Sequence, residues 1–248
     1  MSRFFVRRNQ IEGERVAILG DDARHISRSL RMAAGEHITV CDMQSVEYEC
    51  ELVEFLPDRV EALILSSSRS DTEPPYDVTL YQALPKGDKL DTVIQKAVEC
   101  GVSEIVTFVS ERCIAKESSR EENKLARRQR ISLEAAKQSG RGIIPEVKPT
   151  VSFAEMLKMA SEKDIALICY EGDVTVSLKG ALKDAVAKGL PERPCVSVVI
   201  GSEGGFSLKE IEEARDAGLV PVGLGKRILR TETAPSVALS ALIYEFEL

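Results

Sequence analysis

The stretch IGSEGGFSLKE, Ile200 to Glu210, sets three glycines and a bare glutamate between an apolar run and a helix start. Ahead of it, Cys195-Val196-Ser197-Val198-Val199-Ile200 is apolar and β-branched, which reads as a buried strand. Behind it, Ser207 and Glu210 stand at capping-box spacing: the serine can accept from the amide of Glu210 while Glu210 reaches back to the amide of Ser207. The unit is therefore strand, glycine-rich loop, capped helix. Two readings fit it. One is a tight strand-to-helix turn. The other is a loop whose backbone must approach a ligand, since glycine removes the Cβ that would block the approach.

The rest of the chain narrows the choice. Its 248 residues suffice for one large domain or two smaller ones, and 44% are apolar, ample for a core. No apolar run reaches the roughly 18 residues of a membrane span, and the N-terminus lacks the apolar core of a signal peptide. The six cysteines (Cys41, Cys50, Cys100, Cys113, Cys169, Cys195) stand far apart, without a CxxC, and there are only two histidines. No metal site is expected, and a reducing cytoplasm is the expected setting.

The net charge of −7 argues against indiscriminate nucleic-acid binding. Yet residues 1–35 carry seven arginines against four acids, and residues 112–141 carry nine basic side chains against four acidic. These segments read either as a localised polyanion surface or as solvated helix faces with i,i+4 pairs.

The polar run Ser66 to Pro75, with its proline pair, reads as a linker. Before it, short runs at Arg15–Leu19, His37–Cys41, Tyr48–Val53 and Val60–Leu65 predict four strands of a small barrel, interrupted by a helix from Asp21 to Met32. After it, strands (Val78–Ala83, Glu104–Val109, Ile165–Tyr170, Val196–Ile200, Leu219–Gly223) alternate with helices (near Lys89–Cys100, Arg120–Ser139, Ser152–Ser161, Ser177–Lys188, Lys209–Ala217, Pro235–Phe246). That alternation predicts an α/β domain with a mostly parallel sheet. The expected division is a barrel domain at 1–70, a linker at 71–76 and an α/β domain at 77–248. No internal repeat is visible.

Ligands of parallel sheets bind on the loops at strand ends, which singles out Glu171-Gly172-Asp173, Gly201–Gly205 and Gly223–Thr233. The third loop opens LGKRILRTETAPSVAL, Leu224 to Leu239. Pro235 fits a first helical turn and Thr233 can cap it. The helix that follows is apolar on nearly every side, which requires burial in the core or at a subunit interface. Leu224, Ile228 and Leu229 can line a pocket for a flat ring. Arg227 and Arg230 can face an anion or polarise a carbonyl, or Arg230 can simply pair with Glu232 or Glu203.

LGKRILRTETA together with GSEGGFS resembles the RsmE family, which methylates a uridine at N3 in 16S (small-subunit) ribosomal RNA. The resemblance runs the length of the chain: Ser2–Val6, His25–Arg31 with Gly35, Lys86–Lys89, Gln95–Val102 and Glu134–Arg141 resemble further blocks of that family. Ser202 stands where the family usually has proline, and Cys100 where it usually has leucine; neither change removes a group with obvious chemistry.

The resemblance implies a SPOUT methyltransferase domain, whose C-terminal part is tied in a deep trefoil knot, plus a small PUA-like RNA-binding barrel. It implies S-adenosylmethionine held by Glu171 and Gly172, by Ile200, Gly201, Glu203, Gly204 and Gly205, and by Leu224, Gly225, Ile228, Leu229, Arg230 and Thr231. It further implies a homodimer paired through the knotted domain. The reaction implied is an in-line displacement that mainly needs positioning. Uracil N3 is a poor nucleophile until its proton leaves, and a guanidinium suits the resulting anion. Arg230 is the first candidate for that task. Glu232 either accepts the proton or orients Arg230, and the orienting role is favoured because an ordinary glutamate is too weak a base. N3 lies on the pairing edge, so the target uridine must be unpaired or flipped out.

The expected RNA contacts are Arg7, Arg8, His25, Arg28, Arg31, Lys86, Arg112, Arg120, Arg127, Arg128 and Arg141, although a lone histidine such as His25 more often packs than binds. The acidic total suggests that recognition needs an assembled small subunit. Rival readings are a ribose 2′-O methyltransferase, a non-catalytic RNA-binding protein, and a nucleotide hydrolase. The last lacks its loop lysine, since GSEGGFS has none.

Overall fold

The computed structural model describes residues 2–114, 121–173 and 175–248. Lys116, Glu117 and Arg120 of the second basic segment lie outside the described residues. The chain forms two compact units. One comprises Met1–Glu73 and Ala136–Ile144, the other Pro74–Ala135 and Pro145–Leu248.

In the first unit the strands are β1 (Arg3–Phe5), β2 (Ile11–Glu12), β3 (Arg15–Leu19), β4 (His37–Cys41), β5 (Val46–Leu56) and β6 (Arg59–Arg69). They form one sheet in the order β1-β4-β5-β6-β3-β2, parallel only at the β1–β4 pair. Helix α1 (Gly20–Arg24) continues as a π-helical turn, His25–Ser29. Alternation in β3 turns Val16 and Ile18 inward, where they join Phe4, Ile26, Ile38, Val40, Leu52 and Val60 in a single apolar core. One expectation is corrected. Ser66–Ser68, read as linker, pair with Glu49–Glu47 as the end of β6. The backbone ladder makes that strand, and its side chains carry no apolar signal.

In the second unit the order is β7 (Asp77–Ala83), α2 (Lys89–Glu99), β8 (Glu104–Val109), α3 (Glu121–Ser139), β9 (Glu146–Ser152), α4 (Phe153–Ser161) and β10 (Ile165–Cys169). It continues with β11 (Val176–Ser177), α5 (Leu178–Ala187), β12 (Cys195–Ile200), α6 (Leu208–Asp216), β13 (Val220–Gly223) and α7 (Ala234–Phe246). The last turn of α3 belongs to the first unit. Seven strands form a wholly parallel sheet, β11-β13-β10-β12-β7-β8-β9. Strand β12 is inserted between β7 and β10, both of which precede it in the chain. Its six residues pair with β7 throughout, from Cys195↔Asp77 to Ile200↔Gln82.

Helix α2 shows why these segments fold as they do. Leu90, Val93, Ile94, Ala97 and Val98 recur at helical spacing and all are buried. Strand β9 was not predicted. It is an edge strand carrying Pro149, and its register slips opposite Val106 and Phe108. An edge tolerates the missing amide of proline, which a central strand would not.

Helix α7 was expected to be buried in the core or at a subunit interface, and within one chain only one face of it is buried. Ala234, Pro235, Ala238, Leu239 and Leu242 are buried. Val237 is partly exposed, and Tyr244 is 73% exposed. Thr233 makes no side-chain cap, because its backbone is already helical (φ −94°, ψ −37°) and not extended.

Candidate active site

The glycine-rich loop is fixed at both ends. The capping box is present: Ser207 Oγ accepts from the Glu210 amide at 3.3 Å, and Glu210 Oε2 accepts from the Ser207 amide at 2.9 Å. Glu210 Oε1 also accepts from the Glu111 amide at 2.8 Å, and Ser207 Oγ donates to Glu111 Oε2 at 2.7 Å. The residue between loop and cap, Phe206, is 2% exposed and stacks on Phe108 with centroids 6.4 Å apart. Burying such a ring is worth about 1.5–3 kcal/mol. The loop is thus anchored in the core behind Gly205.

Two glycines are required by geometry. Gly205 has φ +62°, a left-handed conformation, and a Cβ there would lie 2.7 Å from Glu171 Oε1. A Cβ on Gly204 would lie 2.8 Å from the Cβ and 3.2 Å from the carbonyl oxygen of Arg112. Arg112 itself donates to the Gly204 carbonyl at 3.1 Å. The loop after β8 therefore packs directly on the glycine-rich loop.

The carboxyl ends of β10, β12 and β13 converge on two adjoining clefts. The larger, about 360 Å³, is lined by Lys89, Cys169, Glu171, Gly201, Ser202, Glu203, Gly205, Ile228, Leu229, Arg230, Thr231 and Ala234. The smaller, about 120 Å³, is lined by Cys169, Tyr170, Glu171, Thr175, Gly223, Leu224, Gly225, Arg227, Ile228, Leu229 and Ala234. One end of this double cleft is charged and the other mostly apolar. Between them stands Cys169, whose thiol burial pushes up to about 12, so it stays a neutral thiol.

Most of the expected cradle residues meet here: Glu171, Gly201, Glu203, Gly205, Leu224, Gly225, Ile228, Leu229, Arg230 and Thr231. Others do not line the clefts. Ile200 is 2% exposed and belongs to the core, because β12 is buried on both faces. Gly172 lies under the Tyr170 ring, and Gly204 under Arg112. Ile228 lines both clefts yet is 86% exposed, so it sits at the rim.

Behind the larger cleft, Gln82 Nε2 donates to the carbonyls of Ala83 (3.0 Å) and Gly201 (3.3 Å) and to Thr231 Oγ1 (3.0 Å). Thr231 Oγ1 in turn donates to the Gly201 carbonyl at 2.7 Å. This buried network ties the end of β7 to the loops after β12 and β13. It leaves Gln82 Oε1 and Ser202 Oγ buried without a hydrogen-bond partner among the described residues.

The alternative that Arg230 simply pairs with Glu232 or Glu203, and with it the favoured orienting role of Glu232, is corrected: neither carboxylate pairs with Arg230. Both face Lys89, whose Nζ lies 2.7 Å from Glu203 Oε1 and 3.7 Å from Glu232 Oε2. The amide of Lys86 also donates to both Glu203 carboxylate oxygens, at 3.2 and 3.3 Å. Partial burial would raise the Glu203 carboxyl, but the hydrogen bonds from Lys89 and from the amides of Glu203 and Lys86 bring it below its ordinary value. Arg230 is left exposed at the cleft, with no ion pair among the described residues.

The expected RNA residues divide by burial. Arg7, Arg8, His25, Arg28 and Arg31 are exposed on the first unit, and Lys86 and Arg112 are exposed on the second. Arg127 is paired with Asp91. Arg128 and Arg141 are withdrawn as RNA contacts: they are 8% and 2% exposed, and the Arg141 guanidinium is bound by Glu73 at 2.7–3.1 Å. Among the described residues no helix is long and apolar enough to cross a membrane.

The comparisons with known proteins agree with this geometry. A family model described as an RNA methyltransferase domain matches residues 72–243, and one described as an RNA methyltransferase PUA domain matches residues 18–65. Ribosomal RNA small subunit methyltransferase E of Bacillus subtilis (strain 168) is 35% identical, over 100% of this chain and 98% of its own length. The chain belongs to this methyltransferase family. The Mesomycoplasma hyopneumoniae (strain 232) member is 33% identical over 98% of this chain and 99% of its own length. A crystal structure of the Neisseria gonorrhoeae family member bound to S-adenosyl methionine superposes with a TM-score of 0.85 at 35% identity, covering 99% of this chain and 98% of that one.

Lys89 and Cys169 were missed as site residues. Lys89 was within reach, since it closes the Lys86–Lys89 block. Cys169 carried no signal beyond its place at a strand end.

Proposed function

We propose that this chain transfers a methyl group from S-adenosylmethionine to N3 of a uridine in 16S ribosomal RNA, on assembled small subunits. The observation that carries this reading is the double cleft, formed by three strand-end loops in a chain that matches small-subunit methyltransferases along its whole length. The cleft fits the cofactor. Leu224 and Leu229 offer an apolar wall for the adenine, with Ile228 at its rim, and Ser202 Oγ offers an unpartnered polar atom. When bound, the cofactor supplies a methyl group already activated by a positively charged sulfur.

The protein's own work is placement. Gly201 and Gly205 let the backbone form the cleft wall, and the Gln82–Thr231–Gly201 network holds that wall to the end of β7. Arg230, without an ion pair among the described residues and lining the larger cleft, is the guanidinium assigned to the negative charge that uracil takes on. Glu232 orients no arginine here, and its Oε2 is buried, so it is assigned no part in taking the proton directly.

The insertion of β12 between two earlier strands supports a trefoil knot in this region. The exposed face of α7, with Val237, Tyr244 and the neighbouring Leu248, supports pairing of two copies through this unit. The exposed arginines of the first unit supply phosphate contacts for a PUA-like RNA-binding barrel.

The test is to incubate the protein with labelled S-adenosylmethionine and unmethylated small subunits, with naked ribosomal RNA in parallel, and to identify the labelled nucleoside. N3-methyluridine made mainly on subunits is expected. A labelled 2′-O-methylnucleoside would keep the cofactor and overturn the target. A second expectation concerns the loop. Gly204→Ala forces the Arg112 backbone and the glycine loop apart at an overpacking cost of about 1–3 kcal/mol. Calorimetry should therefore show cofactor Kd rising about tenfold or more, and an unchanged Kd would mean that the loop does not shape the site.

A further inference from the structure

Lys89 opens α2, outside the three loops that form the rest of the cleft, yet it lines the larger cavity. Its ammonium is held from two sides: Glu203 after β12 at 2.7 Å, and Glu232 before α7 at 3.7 Å. Arg230 lies close enough to act on it electrostatically. Glu171 lines the same cavity.

An ammonium has three donors, and the structure commits one of them, to Glu203. At 3.7 Å Glu232 is an ion pair without a hydrogen bond, and its Oε2 is buried with no hydrogen-bond partner among the described residues. The two carboxylates therefore fix where the lysine stands without saturating it. Lys89 and Arg230 are the two cations of this cavity, set beside the carboxylates of Glu171, Glu203 and Glu232. The ammonium protons that Glu203 does not take are donors aimed at a ligand, and a uracil carbonyl oxygen is the acceptor they suit when N3 loses its proton.

We propose that Lys89 is a further catalytic residue, whose ammonium donates to a carbonyl oxygen of the target base and, with Arg230, stabilises the anion that attacks the methyl group. This rests on the uridine-N3 reading above. In the step itself N3 gives its proton to solvent and bonds to the methyl carbon, and the electron pair of the broken carbon–sulfur bond stays on sulfur. The hydrogen bond to Glu203 holds the Lys89 ammonium above its ordinary value, so the lysine stays charged through the alkaline range in which uracil ionises unaided.

That difference supplies the test. Lys89→Met and Lys89→Arg would be compared with the parent for S-adenosylmethionine affinity, affinity for unmethylated small subunits, and kcat as a function of pH. Lys89→Met should lose about 10²–10³ in kcat at neutral pH, the loss usual for a donor to a developing oxyanion. Both affinities should stay within about threefold, less than the tenfold that 1.4 kcal/mol represents. The kcat defect should shrink steadily as pH rises, because the base then ionises without help. Lys89→Arg should restore much of the rate. Lys89→Gln, which keeps a polar head, serves as the second variant should the methionine disturb folding, and the same pH-dependent defect is expected of it. A defect equal at every pH, or a loss that appears in cofactor affinity, would reduce Lys89 to a fastener for Glu203 and overturn the proposal. A parent protein that makes no N3-methyluridine would remove the underlying reading whatever the variants do.

Discussion

Glu73→Ala should destabilise the first unit by about 3–5 kcal/mol, the cost of removing one partner from a buried ion pair. Arg141 is 2% exposed, and Glu73 takes its Nε and Nη2 protons at 2.7–3.1 Å. The same carboxylate accepts the amides of Gly142 at 2.8 Å and Ile143 at 3.3 Å. Without it a guanidinium and two backbone donors lose this carboxylate in the interior. Urea unfolding followed by circular dichroism would measure the loss as a shift in midpoint at constant slope. Replacing both members by apolar residues, Glu73→Leu with Arg141→Met, should recover much of it, since the penalty lies in the unpaired charge and not in the missing attraction. A single variant that unfolds at the parent's midpoint would mean that water reaches the site.

Arg230→Ala should lower kcat by about 10²–10³-fold, the range found when a donor to a developing oxyanion is removed. Cofactor affinity should hold, because the apolar wall and the glycine loop remain. The free guanidinium explains why the effect should fall on kcat: it has no carboxylate to give up before meeting the substrate. Single-turnover methylation of small subunits with saturating cofactor would read the chemical step directly. Loss of S-adenosylmethionine binding in place of turnover would move Arg230 from the reacting base to the cofactor.

Much of the fold was legible because its signals are local. The predicted span Glu104–Val109 is the observed β8, and the capping box at Ser207–Glu210 marks the start of α6. What escaped depends on contacts between distant residues or on backbone pairing alone. Ser66–Ser68 look like a linker by composition and become strand through the ladder with β5. Counting charge in residues 112–141 could not tell a solvated arginine from Arg141, whose partner stands 68 residues away. The cleft was legible as three loops at the ends of parallel strands, and its individual residues through a resemblance. The Lys89–Glu203 pair spans 114 residues, and no local pattern announces it. Glu232 was expected to orient Arg230 because an ordinary glutamate is too weak a base for the proton; the fold turns its carboxylate toward Lys89 of α2 instead.

The place of β12 in the sheet bears on how the protein is made. Asp77 lies beside Cys195 in the finished sheet, so more than a hundred further residues must leave the ribosome before β7 meets that neighbour. Until then one edge of an apolar strand, with Val78, Leu80 and Tyr81, waits unpaired in the growing chain. Such an edge is open to pairing with other chains, and closing so long a loop is slow compared with local folding. Synthesis order, not final stability, sets the interval in which this protein is most exposed to aggregation.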